Sequence, residues 1–189
     1  MLDTSFHDAD AVADAHAAVH LRVASPADVP FIVDAIVAES RQGHFASDGS
    51  RPDVLAGLWH QIQSVVADGV TPMPDARNGA GGRAFVVQVG DVNAAFAILV
   101  EHAPGSWHER IELFACVTHA AFRGRGLARF LVRSLVRDSR SAAVYARCAG
   151  ASSAMAALLA SCGFAHVSRS PEGIATLEFT RIVPVTVRG

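Results

Sequence analysis

The spacing of apolar residues changes near residue 82 of this chain, and that change limits the folds open to it. Before it, Val29, Ile32, Val33, Ile36 and Val37, then Val54, Leu55, Leu58, Ile62 and Val65, recur at helical intervals. After it, Ala84 to Val89 and Val92 to Glu101 read as strands, separated by Gly90-Asp91, a tight hairpin with glycine first. Two helices followed by an antiparallel pair are therefore predicted. Ser25-Pro26-Ala27-Asp28 offers a capping serine, a first-turn proline and an acidic N3 residue, so the first helix runs from Pro26 to about Ser40. A short strand, His20 to Ala24, precedes it. The turn-rich stretch Arg41 to Ser50 leads to a second helix from Arg51 to about Ala67, and Gly69 to Gly82 reads as a loop.

Farther along, Ile111 to Val117 reads as a strand, Gly126 to Arg137 as a helix and Ala142 to Arg147 as a strand. A helix from about Ser152 to Ser161, capped by Gly163, and strands near Phe164 to Arg169 and Ala175 to Ile182 close the series. The order β-α-α-β-β-β-α-β-α-β-β predicts an α/β (α+β) fold: a mixed, mainly antiparallel sheet of six to seven strands with about four helices on its faces. At 189 residues the chain supplies one core. We assign residues 19–189 to that single domain and 1–18, small and acidic without an apolar stripe, to a tail or loosely docked helix.

Composition narrows the chemistry. All 16 basic residues are arginine, which removes every mechanism that needs a lysine amine, including Schiff bases and the phosphate-loop lysine. A net charge of -2 gives no overall attraction to nucleic acid or an anionic membrane. The longest clear apolar run, Ala94 to Val100, falls far short of a membrane span, and the acidic N-terminus lacks a secretion signal's basic start. A soluble cytoplasmic protein is expected, without nucleic-acid or membrane partners. Cys116, Cys148 and Cys162 form no CxxC pair and read as core thiols. No HExxH or other close ligand set is present, so no metal site is expected; His16 and His20 straddle an element boundary.

The segment Val117-Thr118-His119-Ala120-Ala121-Phe122-Arg123-Gly124-Arg125-Gly126-Leu127-Ala128 lies between a strand and a helix. Its glycines let the main chain approach a ligand, and the helix start offers unpaired amides and a positive dipole end. Each such contribution is only ~0.3–1 kcal/mol when exposed, so several amides must converge to hold a diphosphate without lysine. The dinucleotide fingerprint G-x-G-x-x-G fails for want of its third glycine.

Arg-x-x-Gly-x-Ala at Arg123, Gly126 and Ala128 resembles the acyl-CoA signature of the GNAT superfamily of N-acetyltransferases. Cys162-Gly163-Phe164 is similar to the family's Gly-Phe before a late strand, and the resemblance spans roughly residues 20 to 182. It implies acetyl-CoA (CoA) as the cofactor. Main-chain groups of Cys116, Val117 and Thr118 would meet its pantetheine arm, and amides of Arg123, Gly124, Arg125, Gly126, Leu127 and Ala128 its diphosphate. Ser152 stands where many members carry a cofactor-contacting asparagine, and is equally an ordinary N-cap residue. Glu112, eleven residues before Arg123, resembles the family's catalytic glutamate; the other reading is a solvated carboxylate or an ion pair with Arg110. Glu101, His102 and His108 are weaker candidates.

Two features qualify the resemblance. Leu159 stands where many members have a tyrosine that protonates the leaving thiolate, and the sole tyrosine, Tyr145, sits on another strand as a structural or wall-lining residue. Arg125, Arg129, Arg133 and Arg137 form a stripe on the signature helix, read as a solvated face or as a partner for the cofactor's 3'-phosphate. The resemblance implies direct acetyl transfer in a ternary complex to a primary amine, a small molecule or a peptide, and leaves a homodimer open. Around the acceptor, walls are expected from His44, Phe45 and Asp48 and from Ser170 to Gly173, with Asp48 and Glu172 able to attract a cation. The rival function is a non-catalytic acyl-CoA-binding or regulatory module.

Overall fold

Gly90 turns at φ +59° and joins the two longest strands, so the predicted hairpin is the centre of the sheet. The computed structural model describes residues 18–45, 49–71, 80–102, 110–138 and 143–180. Within these, β3 (Ala80–Val89) and β4 (Val92–His102) pair antiparallel, and β5 (Arg110–Thr118) runs antiparallel along β4. On the other edge of β3 lie β1 (Val19–Val23) and, at its opposite end, the two-residue β2 (Val70–Thr71). β6 (Ala143–Cys148) pairs parallel with β5, β8 (Ala175–Thr180) antiparallel with β6, and β7 (Ala165–Arg169) antiparallel with β8. The strand order is β1-β3-β4-β5-β6-β8-β7.

Among the described residues four α-helices cover this sheet: α1 (Val29–Ser40), α2 (Pro52–Asp68), α3 (Leu127–Asp138) and α4 (Ser153–Ser161). Because successive strand residues face opposite sides, Val86 and Val87 enter different cores. Val86, Phe96 and Ile98 pack with Ile32, Val33 and Ile62 of α1 and α2. Val87, Ala95 and Ala97 pack with Leu131 and Val132 of α3 and Leu159 of α4. Full burial of such side chains is worth about 1.5–3 kcal/mol each, so the two layers hold the sheet from both sides.

Three details depart from the sequence reading. Among the described residues the sheet has eight strands, because the expected Gly69–Gly82 loop contains β2, and the last residues of that span already belong to β3. A Cβ on Gly82 would lie 2.4 Å from Thr71 Oγ1, so the missing side chain is what lets β2 press against this part of the fold. α3 starts at Leu127 rather than Gly126, since Gly126 has φ +79°, outside the right-handed helical region. Arg125 therefore belongs to the preceding turn, and the stripe on the helix is Arg129, Arg133 and Arg137. The expected tail lies, but for Ala18, outside the described residues.

Candidate active site

Among the described residues β4 follows β5 as far as Thr118, but β6 pairs with β5 only at Arg110, Ile111 and Glu112. The register between β4 and β5 shifts between Ile98 and Leu99, leaving Phe114 as an extra residue on β5. Such a bulge bends its strand and increases its twist, which is the local cause available for the separation of β5 from β6 beyond Glu112. A cleft of about 610 Å³ lies there, lined by Cys116–Thr118, Arg123, Gly124, Gly126–Ala128 and Ser152, among others.

The floor of that cleft suits a diphosphate. Gly124 and Gly126 have φ +76° and +79°, and a Cβ on either would meet nothing within 4 Å, so their backbone borders open space. The Phe130 N–H donates to Gly126 O in the first turn of α3, and the amides before it are ones that an α-helix cannot satisfy from within. Thr118 Oγ1, at the cleft wall, is buried without a hydrogen-bond partner. The Arg123 side chain is engaged along the cleft wall: its Nε donates to Thr118 O at 3.2 Å and its guanidinium pairs with Glu39. Arg125 does not line the cleft and lies 5.4 Å over the Phe122 ring, whereas Arg129 does line it. Main-chain amides and a nearby guanidinium thus fit CoA's phosphates without any lysine.

Glu112 lines a second cavity of about 630 Å³. The residue is only 2% exposed, with Arg147 Nε donating to Oε1 at 2.7 Å and the Tyr145 hydroxyl to Oε2 at 3.2 Å. Burial, then the Glu112 charge, pushes the Tyr145 hydroxyl up to about 12. The alternative reading of Glu112, a solvated carboxylate or an ion pair with Arg110, is corrected by its burial and by the cross-strand register. Glu112 faces Tyr145, which faces Glu178, and Arg110 pairs with Glu178 while lying 5.0 Å over the Tyr145 ring.

The two cavities share His44, Phe45, Phe114 and Arg147. His44 follows α1, and its Nδ1 lies 2.7 Å from Oε2 of Glu39, a buried α1 residue whose other oxygen pairs with Arg123. The His44 amide donates to Glu39 O at 3.2 Å, and the Ser152 hydroxyl donates to His44 O at 3.4 Å. Ser152 occupies the N-cap position of α4 yet makes no capping bond. Sequence reasoning placed His44 on the acceptor wall but missed Glu39, whose partners come from a turn and a distant loop.

Other expectations sort by position. Leu159 is fully buried at the cleft and supplies no proton donor. Burial, with Cys162 and Cys148 nearby, pushes the Cys116 thiol up to about 12, and burial also raises Cys148. Both thiols are therefore neutral near pH 7 although both line the cleft. Glu172 is not among the cavity residues, whereas Ile174 is. Asp48, His108 and His16 lie outside the described residues. Among the described residues, no three His, Cys, Asp or Glu side chains group as a metal site, and no helix is long and apolar enough to cross a membrane.

A sheet parted at β5 and β6 over an open helix start can receive an acyl-CoA, and a second cavity opening onto the first makes the class that of an acyltransferase. The family model described as the acetyltransferase (GNAT) family matches residues 57–164, and the chain belongs to that family. Acetyl-CoA is its donor and N-acetyl transfer its reaction. A spermidine N-acetyltransferase from Vibrio cholerae, in complex with CoA and spermine, shares the fold with a TM-score of 0.65 at 17% identity, over 86% of this chain and 95% of that one. An acetyltransferase from Thermus thermophilus gives 0.64 at 16%, over 86% and 97%. The aminoglycoside acetyltransferase AAC(6')-Ib, in complex with coenzyme A, gives 0.61 at 17%, over 87% and 95%. No curated protein sequence matches the chain.

Proposed function

We propose that the chain acetylates a primary amine with an apolar, aromatic-sized body, by direct transfer with both substrates bound. The observation that carries this reading is the meeting of two cavities of similar size, about 610 and 630 Å³, at His44, Phe45, Phe114 and Arg147. The acceptor cavity is walled by Ile36, Phe45, Val54, Leu58, Phe114 and Ile174. Glu112 is its only carboxylate among the described residues, and Arg147 already neutralises it. Spermine and aminoglycosides carry several ammonium groups, and one compensated carboxylate is a poor match for them.

Acetyl-CoA supplies an activated acetyl thioester. Main-chain groups of Cys116–Thr118 hold its pantetheine arm and the amides from Arg123 to Ala128 its diphosphate, with Arg129 toward its outer phosphate. The apolar walls seat the body of the amine, and Glu112 accepts a proton from its ammonium through water, freeing the nitrogen lone pair. The neutral cleft thiols argue against an acetyl-cysteine, since nucleophilic attack requires the thiolate. Free cysteines suit a reducing compartment, the cytoplasm.

Titration calorimetry with acetyl-CoA, followed by thiol release with 2-phenylethylamine, spermine and kanamycin, tests the reading. Binding with 2-phenylethylamine as the preferred acceptor is expected. Preference for spermine would overturn the acceptor class, and binding without thiol release from any amine would overturn the transfer reaction.

A further inference from the structure

Acetyl transfer contains a proton problem that the assigned residues leave open. Once the amine nitrogen has bonded to the acetyl carbon it carries a surplus proton, and the departing sulfur needs one. Glu112 is the acceptor cavity's only carboxylate among the described residues, and its part is to take the ammonium proton before attack, not the one released after it. Leu159 offers no proton, and the Tyr145 hydroxyl is committed to Glu112.

Of the four residues shared by the two cavities, two are phenylalanines and one is an arginine that stays protonated. The fourth is His44, whose imidazole has one nitrogen that can donate a proton and one that can accept one. Glu39 fixes that ring. With its carboxylate also gripped by Arg123, it accepts the Nδ1 proton of His44 and leaves the Nε2 lone pair free, with no partner among the described residues. The Ser152 hydroxyl and the Glu39 carbonyl hold the His44 backbone. A histidine oriented by a carboxylate, at the junction of donor and acceptor spaces, is arranged as a proton carrier.

We propose that His44, oriented by Glu39, carries the proton of acetyl transfer from the acceptor nitrogen to the departing sulfur. As the nitrogen–carbon bond forms, His44 Nε2 takes the proton from that nitrogen. As the carbon–sulfur bond breaks and its electron pair stays on sulfur, Nε2 returns the same proton to the sulfur. The sum is amine plus thioester giving amide plus thiol, with no other reactant. Glu39 is a positioning residue. The assignment rests on the direct-transfer reading above, and it supplies in one side chain the acid that Leu159 cannot provide.

Two measurements test it. His44→Gln should lower kcat with 2-phenylethylamine by about 100-fold or more, as general acid–base catalysts commonly contribute, with acetyl-CoA affinity by calorimetry within about twofold of the parent. Nitrogen-15 NMR of histidine-labelled protein, with His44 assigned by its loss in His44→Gln, should show Nδ1 protonated and Nε2 bare; Glu39→Gln should remove that preference. Undiminished kcat in His44→Gln overturns the proposal while leaving the acetyltransferase reading intact. A wild-type imidazole protonated at Nε2 overturns it without reference to turnover. If 2-phenylethylamine releases no thiol from the parent protein, the acceptor reading fails, and the tautomer alone then decides whether His44 is set as a carrier.

Discussion

Asp28 shows how much structure one carboxylate can organise here. It is 2% exposed and accepts from both terminal nitrogens of Arg22 on β1, from the Ser25 amide and hydroxyl, and from Asn93 on β4. The Arg22 guanidinium, foremost among these partners, holds the Asp28 carboxyl well below the usual carboxylate range. A depressed folded-state pKa adds stability above the unfolded value of about 3.9, and that stability is lost as pH falls toward the folded one. Asp28→Asn should therefore cost about 1–3 kcal/mol at pH 7, the scale of hydrogen bonds to a charged group. Urea unfolding should find the gap between parent and variant narrowing below about pH 4; a gap independent of pH would show that the charge is not what matters.

At the scale of elements, the turn from β5 into α3 does the most with the least. Gly124 and Gly126 take left-handed φ values while their α-hydrogens face open space, a combination that costs an L side chain strain without any clash inside the protein. Gly126→Glu should thus leave the fold standing, with a loss of about 1–2 kcal/mol in thermal unfolding. Acetyl-CoA binding by calorimetry should disappear, because the new carboxylate would lie against the diphosphate. Retained affinity would remove the cradle from the site. This turn was legible in the sequence, since its glycines and the following apolar helix are local signals. The hairpin at Gly90 and the cap at Gly163 were legible for the same reason, whereas Ser25, read as the cap of a helix from Pro26, precedes a 3-10 turn, Pro26–Asp28, and α1 starts only at Val29 with Asp28 as its N-cap. The partner of Glu112 was not: Arg110 is two residues away in sequence, yet the β5–β6 pairing brings Arg147 closer, and pairing is a property of the sheet. β2 was hidden by its length and by Gly82, a residue that ordinarily argues against a strand. Glu39 looked like the polar end of α1, and only tertiary structure brings it to His44 and Arg123.

For the whole molecule, the decisive property is a sheet complete at one end of its centre and open at the other. β4 satisfies one side of β5 along its length, while β6 satisfies the other only through Glu112. Thr118 O on the open side accepts from Arg123, and the open-side backbone groups from Leu113 to Val117 need water or a ligand as partners, because a buried unpaired amide costs about 1–3 kcal/mol. Binding in the cleft must therefore change hydrogen exchange locally. Addition of acetyl-CoA should slow exchange in peptides spanning residues 113–118 and 123–130. The β1–β3 and β7–β8 pairs, whose ladders lie at the two edges of the sheet, should be unaffected. Protection concentrated instead around Val65, Gly69 and Gly82, where a smaller cavity of about 230 Å³ lies beside β3, would place the cofactor elsewhere. Exchange mass spectrometry distinguishes the two patterns without knowledge of the acceptor. It also tests the arginine-only chemistry, since six of the 16 basic residues fall between Arg123 and Arg140 and amides supply the remaining donors. If amides bear the diphosphate, protection at residues 123–130 should persist in high salt, which weakens contacts from exposed guanidinium groups far more than buried hydrogen bonds.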